Sequence, residues 1–112
     1  MLPRTVRAIE TELQDAEHFR RLGKEGRARV CARRAAGFAA RDFLTRHGYR
    51  LRSTSAYAAL QALMDFPGLA PDLRTAVMHL TMRLTESFIL PVDADLIADA
   101  RFLIGGLNEH HP

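Results

Sequence analysis

Apolar residues in this chain recur three or four positions apart in five separate runs, and β-branched residues nowhere alternate over an extended stretch. Val6, Ile9, Leu13, Ala16, Phe19 and Leu22 form the first run, from about Arg4 to Leu22. Arg27 to His47 carries Ala28, Ala32, Ala35, Ala39 and Phe43 along one side, with Cys31, Ala36 and Phe38 close by. Tyr57, Leu60, Leu63 and Met64 follow a cap supplied by Ser53, Thr54 or Ser55. Ala70-Pro71-Asp72 opens a fourth run through Leu73, Val77, Leu80, Leu84 and Phe88, and Pro91 breaks it. Asp93 or Asp95 starts a fifth, through Leu96, Ile97, Ala100, Leu103, Ile104 and Leu107, which Gly105-Gly106 frays or ends. Without β-branched alternation, an all-α fold follows: an up-and-down four-helix bundle with one additional short helix. With 112 residues the chain is expected to be a single domain over 1–107, with a disordered tail over 108–112.

Charge is distributed as unevenly as hydrophobicity is regular. Between Arg20 and Arg52 lie 11 of the 16 basic residues and two of the 13 acids, a net +9 against −6 for the rest. Fifteen of the 16 are arginine, whose planar fork suits phosphate and carboxylate. Arg27, Arg34 and Arg41 repeat every seven residues and form one stripe on the second helix; Arg29 and Arg33 form another. Arg46, Arg50 and Arg52 continue the basic surface past Gly48, and Tyr49 and Tyr57 could stack on a base. The candidate contacts to RNA or nucleotide phosphates are therefore Arg34, Arg41, Arg46, Arg50, Arg52 and Tyr49. The opposing reading is a solvated face, or arginines paired with Glu10, Glu12, Asp15 and Glu17 of the first helix.

Other chemistries find little support. His18, His47 and His79 lack His or Cys partners at helical spacing, and His110-His111 sit in the tail, so no metal and no cofactor is expected. Cys31 beside the alanine face reads as a small buried hydrophobe. A single cysteine, no signal-peptide pattern and no long apolar run point to a soluble cytoplasmic protein without membrane association.

From Arg29 onward the sequence resembles HEPN domains, small helical bundles of bacteria and archaea. The resemblance rests on Ala32-Arg33-Arg34-Ala35-Ala36-Gly37-Phe38-Ala39-Ala40, Phe43-Leu44, His47-Gly48-Tyr49, the segment Ser55 to Leu63, Pro71 to Ala76, and Asp95 to Arg101. Many HEPN proteins are RNases or toxins with an Arg, four to six residues, then His. Arg83 stands near the place of that Arg, but Leu84 to Asp93 contain no His. The resemblance therefore implies a non-catalytic homodimeric bundle that binds RNA or nucleotides, with a nucleotidyltransferase as partner. The alternative is a scaffold or antitoxin-like subunit whose arginine stripe faces an acidic protein. A third reading is a weak RNase built on His47, His79 and Arg83.

Overall fold

The alanine-rich second segment becomes the axis around which the other helices pack. The computed structural model describes residues 1–82 and 94–109. They form α1 (Pro3–Arg21), α2 (Glu25–Arg46), α3 (Ala56–Met64), α4 (Pro71–Thr81) and α5 (Leu96–Glu109), with no strand among the described residues. Helix α2 touches all four others. Its small side chains make this possible: Ala28, Ala32, Ala35, Ala36, Ala39 and Ala40 are buried on several sides at once. At Gly37 the approach is closest, since an added Cβ would lie 2.5 Å from the Ala56 Cβ at the start of α3. Phe43, Leu44, Leu60, Leu63, Leu80, Leu96 and Leu103 supply the bulk of the core.

Local chemistry fixes most helix ends. Pro3 and Pro71 open α1 and α4, where a missing N–H is harmless. Gly23 (φ 74°) and Gly48 (φ 86°) take the left-handed position after α1 and α2. The following N–H groups of Lys24 and Tyr49 bond back to the Phe19 and Leu44 carbonyls at 2.8 and 2.9 Å, closing both helices. Ser55 caps α3 by accepting from the Ala58 N–H, which selects one of the three expected hydroxyls. Asp95 does the same for α5, accepting from Ile97 and Ala98.

Two ends depart from the expectations. The fourth helix stops at Thr81, with Met82 extended (ψ 133°), although the apolar period continues; Leu84 and Phe88 lie outside the described residues. Arg33 of α2 supplies the missing stop. The fifth helix does not end at Gly105-Gly106 but continues through Asn108 to Glu109. At Gly106 the missing side chain leaves room for the Leu73 methyls of α4. The expected tail is therefore helical at 108 and 109, and its remainder lies outside the described residues.

Candidate functional site

Several arginines of the basic segment are occupied by the fold itself. Arg20 forks between Glu25 (2.6 Å) and Asp95 (2.9 Å), tying the end of α1 to the starts of α2 and α5. Burial works to raise the Asp95 carboxyl, but the Ala98 N–H and Arg20 outweigh it and hold the group below its ordinary range. Arg33 does not form an exposed stripe with Arg29. It turns toward α4 and donates to the Leu80 and Met82 carbonyls at 2.6 and 3.4 Å, closing that helix from 47 residues away. Arg74 closes α3 in the same way, donating to the Met64 and Phe66 carbonyls. Arg46 pairs with Asp42 at 2.8 Å and lies over the Phe43 ring.

Of the other arginines in the segment, Arg27, Arg34, Arg41, Arg50 and Arg52 fall into two groups. The first lies along the open side of α2, where steps of three and four align Arg27, Val30, Arg34, Phe38 and Arg41. Val30 and Phe38 are 41% and 40% exposed, far more than the rest of the core-forming helix. Phe38, expected beside the buried face, lies on the open side with Val30, to which the sequence pattern assigns no role; their places between the arginines of the seven-residue repeat are the signal. Two depressions adjoin this stripe. One of about 300 Å³ is lined by Phe19, Arg27, Val30, Cys31 and Arg34. The other, about 240 Å³, is lined by Leu2, Arg4, Thr5, Phe38, Arg41, Asp42 and Thr45.

Among the described residues no α1 carboxylate forms an ion pair with an α2 arginine; Glu17 instead faces Arg101 at 3.6 Å. Glu12 nonetheless feels Arg34. Burial raises its carboxyl above the ordinary range, Arg34 pulls it back, and Asp15 raises it further. Its Oε2 is buried without a hydrogen-bond partner. Ionised Glu12 is thus disfavoured in the folded chain relative to the unfolded one. That penalty is present above the raised pKa and vanishes as pH falls through it toward the unfolded value of about 4.3. Glu12→Gln is expected to be at least as stable as wild type at pH 7 and to lose this gain on acidification, read from urea unfolding at a series of pH values. A variant that is less stable at pH 7 but equal at pH 4 would contradict it. Cys31 is buried, and burial first, then Glu12 and Asp15, push its thiol up, so it packs as a hydrophobe rather than reacting as a thiolate.

The second group surrounds the corner where α2 hands over to α3. Arg41 reaches the Ser55 carbonyl at 3.4 Å and so brings a guanidinium beside the N-terminus of α3. Arg50 and Arg52 are exposed on the same connection and form no ion pair among the described residues. Tyr49 is 42% exposed, with its ring 5.8 Å from that of Phe66. Of the six expected contacts, Arg46, Tyr49, Arg50 and Arg52 share this end of the molecule. Arg34 does not: it lies 12 residues, or about 18 Å, back along α2 from Arg46. Arg41 stands between the two groups.

Comparisons with protein-family models, curated proteins and solved structures find no match. Among the described residues no three His, Cys, Asp or Glu side chains gather as metal ligands, and no helix is long and apolar enough to cross a membrane. Among the described residues the histidines are not brought together. His79 meets Asp99 at 3.0 Å between α4 and α5, and burial raises the Asp99 carboxyl against the pull of that histidine. The ring of His47 stacks on Phe43 at the far end of α2, 14 residues (about 21 Å) from the Arg33 that contacts Leu80. Arg83 lies outside the described residues.

Proposed function

We propose that this chain is a non-catalytic binding module, a four-helix bundle with one short extra helix, that holds RNA or nucleotide phosphates at the α2–α3 corner. One observation carries the reading: the Arg41 guanidinium lies against Ser55, at the positive end of the α3 dipole. The hydrogen bond to the Ser55 carbonyl holds the guanidinium beside the first turn of α3, where its free N–H groups and the helix dipole can favour the same anion. Arg50 and Arg52 add unneutralised forks, and the Tyr49 ring offers a stacking surface for a base. Asp42, the acid closest in sequence, is already held by Arg46. The resemblance to HEPN bundles adds a nucleotidyltransferase as partner and self-association, for which exposed Met78 and Phe102 on α4 and α5 are available.

Fluorescence anisotropy with a labelled single-stranded RNA tests the reading. Three arginine contacts give a slope of log K on log salt of about −2, so raising salt from about 50 to about 200 mM should weaken binding about twentyfold. Replacing Arg41, Arg50 and Arg52 together by Ala should abolish most of the low-salt binding and flatten that slope. Binding that ignores salt, or that survives the triple replacement, overturns the proposal.

A further inference from the structure

The arginine stripe along α2 meets the phosphate corner at Arg41 but runs away from it toward Arg27 and has a different composition. A phosphate backbone offers nothing to Val30 and Phe38, which are exposed in its midst. Its flank is acidic, because the charges of Glu12 and Asp15 on α1 reach the Cys31–Arg34 region and would repel a continuous polyanion. A second copy of the chain related by a two-fold axis is no better suited. An axis at Arg34 would stack Arg34 on itself and Arg27 on Arg41.

We propose that the stripe Arg27–Val30–Arg34–Phe38–Arg41 docks an acidic amphipathic helix of a partner protein, lying along α2 with two apolar anchors eleven residues apart. The spacing follows from the two depressions. Their α2 linings centre near positions 30 and 41, about 16 Å apart along the axis, which is three turns of a helix. One anchor enters between Phe19, Val30 and Cys31; the other covers Phe38 beside Thr45. Arg27, Arg34 and Arg41 stand two turns apart, so acids at seven-residue spacing on the partner meet all three. A basic residue on its other edge faces Glu12 and Asp15. Anchors give the affinity, and the charges set direction and register.

A synthetic helical peptide with two leucines eleven residues apart and glutamates every seven is the probe, compared with a peptide of identical composition whose leucines are seven apart. Anisotropy should give about tenfold tighter binding for the eleven-residue spacing. Amide shifts in nitrogen-edited NMR spectra should fall on 27–45 of α2 and its α1 flank. Phe38→Asp and Arg34→Glu should each weaken binding about tenfold, and a glutamate-to-lysine change in the peptide should restore binding to Arg34→Glu. Both residues are exposed, so an unchanged circular dichroism melt accompanies these losses. The Arg50→Ala/Arg52→Ala protein should bind the peptide normally, which separates this surface from the RNA site. Equal affinity for both spacings, or shifts mapping elsewhere, overturns the proposal. So does release by Phe38→Asp from anionic phosphatidylglycerol vesicles or from a homodimer, with no effect on peptide binding.

Discussion

Gly37→Val is expected to lower the unfolding free energy by about 3 kcal/mol. A Cβ at Gly37 would lie 2.5 Å from the Ala56 Cβ and 2.6 Å from its Cα. The second of these is backbone, so no rotamer change relieves the clash, and α3 must move as a unit. Gly37→Ala already requires most of that movement. It gains about 1 kcal/mol in helix propensity and is still expected to be destabilising by about 1 kcal/mol. Gly26→Ala is the matched control: it lies in the first turn of the same helix with nothing within 4 Å of the added methyl, and should stabilise by about 0.5–1 kcal/mol. Urea unfolding followed by circular dichroism reads all three, and a Gly37→Ala protein as stable as Gly26→Ala would refute the α2–α3 contact. Function moves with it. Ser55 and Arg41 flank the Gly37–Ala56 contact, so displacing α3 pulls apart the phosphate corner, and RNA binding should weaken further than stability alone accounts for.

Helix boundaries were legible in the sequence wherever the stop is local. Gly23, Gly48 and Pro71 act within a turn of their own residues and sit where the pattern puts them, and Ser55 and Asp95 are each one of the caps it offers. The two misplaced ends do not follow the local signal. Nothing near Thr81 says stop; the carbonyls there are taken by Arg33 from another helix. Gly105-Gly106 carries a local stop signal, yet α5 runs on to Glu109 with Leu73 of α4 packed against Gly106. The same distinction governs the arginines. Their seven-residue repeat was readable on a helical wheel, but which of them turn inward depends on where foreign helix ends arrive. Arg33 and Arg34 are adjacent and chemically identical in sequence. One is half-buried against α4, and the other is exposed on the open side of α2. Val30 and Phe38 were readable too, as the apolar members of that open stripe.

Arg33→Met should therefore destabilise the protein by about 2–3 kcal/mol, whereas Arg34→Met should change stability by no more than about 0.5 kcal/mol. Removing the Arg33 fork leaves the Leu80 and Met82 carbonyls without their charged donor at the end of α4. Burial lowers the guanidinium's pKa, with Tyr57 acting against that, yet arginine stays protonated at any working pH. The methionine stem keeps the apolar packing, so the loss reports the hydrogen bonds rather than a cavity. Arg33→Lys should recover only part of it, because one ammonium on a shorter stem cannot reproduce two directed N–H groups. The partners are carbonyl dipoles, not carboxylates, so the difference between Arg33→Met and wild type should hardly change with salt. Hydrogen exchange should localise the damage to the last turn of α4, around Leu80 and Thr81. The pattern reverses in binding: Arg34→Met should lose the acidic peptide while keeping its melt, and Arg33→Met should keep the peptide wherever it remains folded. If both variants lose stability equally, Arg34 is also a structural residue, and the exposed stripe that the docking proposal requires does not exist.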